Sequence, residues 1–208
     1  MRFPLSVLSS CVLAAFLLVT SIVTGLGQDQ PDAETFRDMR REWINLAVGR
    51  SKFEVSDPSQ VPSQLARAAE QSGCRFKLGI ADKPVRFIVF NGRRLAIVFC
   101  PAVAHGSDQL FDLSDRNLVQ PKLMELPFLR APDGFATTAR PGFVTWKDAG
   151  ILMSETGSDN SCGRLRHNYR FDGNGFVVFR VEYQQACNQS GWTTLWDAAS
   201  VVFPEKEK

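Results

Sequence analysis

Histidine is scarce in this chain: of 208 residues, only His105 and His167 carry an imidazole. That excludes a histidine-rich metal centre. Charge of one sign is also lacking. Lys and Arg number 24 against 22 Asp and Glu, a net +2, so no broad basic field exists to hold nucleic acid. The five cysteines include no Cys-x-x-Cys pair, which removes a zinc knuckle and a thioredoxin-type redox site. There is no Gly-x-Ser-x-Gly elbow and no glycine loop to cradle phosphate. Heptads and low-complexity runs are missing too. What remains is 44% hydrophobic and 22% charged, the composition of a folded domain. The length suits one ordinary domain.

The first 27 residues read as a secretory leader. Arg2 is their one charged residue, an apolar run follows from Leu5 to Leu26, and polarity returns at Gln28 and Asp29. Gly25-Leu26-Gly27 supplies small residues for cleavage after Gly27. The run is long enough to serve instead as an uncleaved anchor, but Thr20, Ser21 and Thr24 interrupt it. Leu8-Ser9-Ser10-Cys11 resembles a lipidation box, yet the apolar run continues well past Cys11. A cleaved chain, residues 28–208, is expected to be a single disulfide-linked β-rich domain with a helical N-terminal part, outside the cytoplasm and with no membrane span. It keeps Cys74, Cys100, Cys162 and Cys187, an even count that suits two disulfides in an oxidising compartment.

Phe36, Met39, Trp43 and Leu46 recur at helical spacing behind Asp32, a suitable cap, and Gly49 is a natural stop. Arg37, Arg40 and Arg41 on the opposite face alternate with acids and read as a solvated surface. A loop opens at Ser56-Asp57-Pro58. A second helix is predicted over Ser63 to Gln71, ended by Gly73. From Cys74 the pattern turns strand-like. Asn91-Gly92, between Val85–Phe90 and Arg93–Cys100, is a strong hairpin signal. Strands are expected near Leu110–Leu113, Leu118–Leu126, Phe143–Trp146 and Gly150–Glu155, with a loop over Arg130–Gly142. A second hairpin pairs Arg164–Phe171 with Phe176–Gln185 across Asp172-Gly173-Asn174-Gly175. Trp192–Trp196 and Ser200–Phe203 complete the set. Counting back from the second turn places Cys162 almost opposite Cys187, and Cys74–Cys100 follows by elimination, though four cysteines permit three pairings.

Chemistry is thinly marked. Asp172-Gly173-Asn174-Gly175 imitates part of a calcium loop, but Arg170 and Val181 fall where carboxylates are required, so it reads as a turn. His105-Gly106-Ser107-Asp108 reads as ordinary loop, and His167 as a mid-strand residue. No catalytic residue, metal site or cofactor is assigned. Trp192 and Trp196, four apart and so expected on one strand face, are the candidate binding residues, with core packing as the plainer alternative. Asn188-Gln189-Ser190 has the form of a glycosylation site.

Cys162-Gly163, Tyr169 through Gly173, Phe176, Cys187 and Trp192 through Trp196 form an ordered set. It resembles the closing segment of a family of secreted proteobacterial proteins classed only as a domain of unknown function (number eleven seventy-six). The resemblance spans Asp159 to Ala198, and Asn188-Gln189 replaces that family's usual Arg-Gly. It implies a bacterial, periplasmic, disulfide-linked β unit and transfers no catalytic residue.

The expected fold is α+β: mainly antiparallel β, sandwich or barrel-like, with one or two N-terminal helices. The expected function is a non-enzymatic binding module, periplasmic or secreted, for an envelope protein or cell-wall component. The alternative is an envelope hydrolase using one histidine with Asp108, Glu125, Asp148 or Glu155.

Overall fold

The computed structural model describes residues 50–102, 106–114, 120–130, 133–147, 150–157, 163–185 and 191–198. The leader, the Phe36–Leu46 stripe, His105, Asp148, Cys162, Cys187, the Asn188 sequon and Ser200–Phe203 lie outside the described residues. Within them the fold is α+β and mostly antiparallel β. Two open five-stranded sheets face each other, so the sandwich-like alternative holds and the sheets do not close into a barrel.

The first sheet runs in sequence order: β1 (Lys52–Val55), β2 (Val85–Phe90), β3 (Arg93–Cys100), β4 (Ser107–Asp112) and β5 (Lys122–Leu123). Between β1 and β2 come α1 (Ser63–Gln71) and α2 (Phe76–Asp82). A two-stranded ribbon follows, β6 (Leu126–Arg130) with β7 (Gly134–Thr138). The second sheet is again a meander: β8 (Phe143–Trp146), β9 (Ile151–Thr156), β10 (Arg164–Phe171), β11 (Phe176–Gln184) and β12 (Thr193–Asp197).

Local chemistry explains both main hairpins. Asn91 and Gly92 have φ of 46° and 73°, as a type I′ turn requires, and Phe90 pairs with Arg93 across it. In the second hairpin the Asp172 carboxylate accepts the N–H groups of Asn174 and Gly175 at 2.9 and 3.0 Å. Its oxygen is thus engaged by the turn itself, a typical Asx arrangement.

Other expectations need correction. The stretch after Cys74 is not strand throughout, because Phe76–Asp82 is a helix. Phe76 and Ile80 bury its inner face, and no side chain caps its start, so packing rather than a local signal makes this helix. Lys52–Val55, with no strand expected there, pairs with β2. The expected strand Leu118–Leu126 is divided: Lys122–Leu123 pairs with β4, whereas Leu126 opens β6. The expected loop over Arg130–Gly142 contains β7. Pro127 obscured this ribbon in the sequence, but a two-stranded ribbon has free edges that tolerate a residue without N–H. Ser107 and Asp108, read as loop, begin β4.

The central strands of the first sheet, β2 to β4, bury residues on both faces. Leu65, Ala69, Phe76 and Ile80 of the helices cover Phe87, Ala96, Val98 and Phe111. Cys74, between the helices, is bridged to Cys100 at the end of β3, which fixes the helical layer to the sheet. On the opposite face, Ile88, Leu95, Ile97 and Leu110 meet Val144, Leu152, Tyr169 and Phe176 of the second sheet. The ribbon β6–β7 also packs on this inner face of the second sheet: Phe128 meets His167, and Phe135 meets Trp196.

Candidate functional site: a cleft between the sheets

β2 alternates Arg86, Ile88 and Phe90 toward the second sheet with Val85 and Phe87 toward the helices. An arginine on that apolar face requires a partner, because an unpaired charge there is costly. Arg86 Nη2 donates to Asp108 Oδ2 at 2.6 Å, and Arg86 Nη1 donates to the carbonyl of Val144 at 2.7 Å. The Val144 N–H donates to the same Asp108 oxygen at 2.7 Å. Val144 belongs to β8, the edge of the second sheet, and the ion pair takes up both of its outward backbone groups. The pair therefore joins the sheets.

Asp108 is 2% exposed, and its second oxygen, Oδ1, has no hydrogen-bond partner. Burial pushes the carboxyl above the usual aspartate value of 3.8, against the pull of Arg86, the Val144 N–H and Lys83. Lys83 reaches the same place from the end of α2, where Pro84 stops the helix. Its ammonium lies 4.4 and 4.3 Å from the ring centres of Phe99 and Phe143, which are nearly parallel at 18°. Gly79 permits this arrangement: a Cβ there would come 2.0 Å from the Phe99 carbonyl oxygen, so α2 lies directly on β3.

These groups line an open cleft of two adjoining recesses, about 380 and 280 Å³, which share Glu54, Arg86 and Thr145. The larger holds Lys83, Asp108 and Phe143; the smaller extends along β8 to Trp146. The cleft thus combines three cations, Lys52, Lys83 and Arg86, two carboxylates, Glu54 and Asp108, and aromatic walls. Of its residues the sequence reading had marked only Asp108. Arg86 carried a legible signal, a lone charge inside an otherwise apolar strand on both faces.

The other marked residues fall elsewhere. Trp192 and Trp196 do not share a face. Val181 pairs with Trp196 and Glu182 with Thr194, so Leu195 is an extra residue, and this bulge inverts the alternation. Trp196 turns inward to Phe135, whereas Trp192 lies on the outer face over the Arg166 guanidinium, 3.8 Å from its ring centre. Arg166 there also binds Glu155 at 2.7 Å. Glu125 accepts from Thr137 in the ribbon. His167 is buried beneath the ribbon, where its Nε2 accepts the Leu129 N–H at 3.0 Å. A neutral ring accepting there carries its proton on Nδ1, which is buried without a partner. Burial lowers its pKa from 6.5 to about 4. Among the described residues His167 therefore forms no pair with Asp108 or Glu155: the first sits in the cleft with Arg86, the second on the opposite sheet face.

These features define a class by architecture: a two-sheet antiparallel sandwich with one helical outer layer, a disulfide between layer and sheet, and a cleft at the sandwich edge. No protein-family model, curated protein or solved structure matches the chain. No helix among the described residues is long and apolar enough to cross a membrane.

Proposed function

We propose that this is an exported, non-enzymatic binding module of the bacterial envelope, periplasmic or secreted, and that it takes its ligand in the cleft between the sheets. One observation carries the choice of site. Asp108, whose Oδ1 is a buried acceptor without a partner, is one of the residues that line an open recess together with Lys83, Arg86 and Glu54. Such an atom is costly unless something donates to it. The leader-like start, the disulfide and the resemblance of Asp159–Ala198 to a secreted family support export. An envelope protein or a cell-wall component is the ligand this setting offers.

The test is reversible cross-linking in intact bacterial envelopes of the protein expressed with its own leader, followed by recovery and intact mass. The expected result is one specific ligand recovered in near-stoichiometric yield, on a chain that starts at Gln28. Asp108→Asn is expected to abolish its recovery. Recovery unchanged by that substitution would remove the cleft from the proposal. A chain retaining its first 27 residues would replace export by anchoring.

A further inference from the structure

We infer that the ribbon β6–β7 is a flap latched by one imidazole: it lifts as a unit when acid protonates His167, and bares the row of side chains beneath it. This goes beyond the cleft and does not depend on it.

The latch makes holding the ribbon and holding a second proton mutually exclusive. Among the described residues one hydrogen bond joins the ribbon to the second sheet, from the Leu129 N–H to His167 Nε2 at 3.0 Å. Nδ1 carries the proton of the neutral ring, so Nε2 is the only atom that can take another. A proton there turns the acceptor into a donor that faces a donor. Pro127, two residues before Leu129 and so on the same edge of β6, has no N–H to offer in its place. The ring is 1% exposed, so the second proton enters as the ribbon leaves.

The feet of the ribbon are tied to the first sheet. The Met124 N–H donates to the Leu110 carbonyl, and the Gly142 carbonyl accepts the Asp108 N–H, both at 2.8 Å. Leu126 is buried in the core between the sheets. Between those feet, Phe128 meets His167 at 6.4 Å and Phe135 meets Trp196 at 5.1 Å, centroid to centroid. His167, Val181 and Trp196 are cross-strand neighbours, one row over β10, β11 and β12. Lifting the ribbon bares that row together.

Among the described residues no charged group faces the ring. Tyr169, beside it on β10, is held neutral by burial, its pKa pushed up to about 12, and its phenol is shared with Ser154 of β9. Val181 is its neighbour on β11. On the ribbon, Glu125 accepts from Thr137, and Arg130 pairs with Asp133 at the tip. Glu155, Arg166, Glu182, Arg180 and Asp197 lie on the outer face of the second sheet. With the ribbon seated, burial holds the ring's pKa at about 4; a lifted ribbon returns it toward 6.5. The lifted form therefore binds more protons between those values. Its ratio to the seated form rises by up to about 300-fold as the pH falls through that window.

The test uses the protein purified after expression with its own leader. Its tryptophans are labelled with 2-hydroxy-5-nitrobenzyl bromide between pH 7 and pH 4 and mapped by peptide mass spectrometry, with backbone hydrogen exchange followed in the same samples. The expected result is that labelling of Trp196 rises severalfold relative to Trp192, on the outer face, while the amides of β3 and β10 stay protected. His167→Gln gives Leu129 a neutral acceptor at every pH, so the step should vanish. His167→Phe, with no titratable group, should also show no step and serves if the glutamine variant does not fold. An unchanged Trp196 rate in the parent, or a step that survives both substitutions, would overturn the inference. Loss of protection in β3 together with labelling of Trp196 would mean that acid unfolds the whole sandwich, and the flap then falls.

Discussion

Asp108 gives different expectations for two substitutions. Asp108→Ala leaves the Val144 N–H and the Arg86 guanidinium without their acceptor at the junction of the sheets. Removing one partner of a buried pair costs about 3–5 kcal/mol, and the partial exposure of Arg86 sets the expectation near 3. Asp108→Asn, which keeps an acceptor, should cost less than half of that; urea unfolding of the two variants measures the difference. At His167 the sign follows from its lowered pKa. The unfolded ring takes up its proton near 6.5 and the folded one near 4. Between those values the unfolded chain binds more protons, so this residue's contribution to stability falls as the pH drops from 6.5 to about 4, then levels. The loss approaches ~3 kcal/mol. A protonated ring also cannot accept the Leu129 N–H. Urea midpoints against pH should therefore decline less steeply for His167→Gln than for the parent, and hydrogen exchange at Leu129 should accelerate below pH 5 in the parent alone.

At the scale of the element, contact is closest where α2 lies on β3. Gly79→Ala puts a methyl group against the backbone oxygen of Phe99, which cannot swing away. The gain in helix propensity, about 1 kcal/mol, is outweighed by displacement of the helix. A net loss of about 2 kcal/mol is expected in thermal unfolding. The same helix marks the limit of sequence reading. The two main hairpins and α1 were legible because turn and helix signals sit within a few neighbours: Asn91-Gly92, the Asp172 turn, and Gly73 beyond α1. Helix α2 was not, being short, uncapped and interrupted by a glycine that makes sense only beside β3. The ribbon β6–β7 was hidden by Pro127. The bulge at Leu195 is a property of pairing with β11, so no pattern within Trp192–Trp196 disclosed it. The cleft depended on distance in sequence. Arg86, Asp108 and Val144 are brought together from three strands, and only the solitary charge of Arg86 hinted at a partner.

For the whole molecule, the Cys74–Cys100 bridge closes a loop of 26 residues that holds α2, β2 and most of β3. A cross-link over that length restricts the unfolded chain by ~3 kcal/mol in the chain-entropy account. Replacing both cysteines by alanine should lower the thermal midpoint by several degrees while leaving the circular dichroism of the folded state unchanged. Connectivity has a separate consequence, for the order of synthesis. Among the described residues every strand of the first sheet ends by Leu123, and every strand of the second follows Gly142. A chain emerging from its amino end can therefore assemble its helices and first sheet before the second sheet exists. During that interval Ile88, Leu95, Ile97 and Leu110 face water as an apolar sheet surface. Nascent chains halted shortly after Leu123 should be sticky in a way the finished protein is not, and the time needed to make the last eighty-odd residues sets how long that hazard lasts.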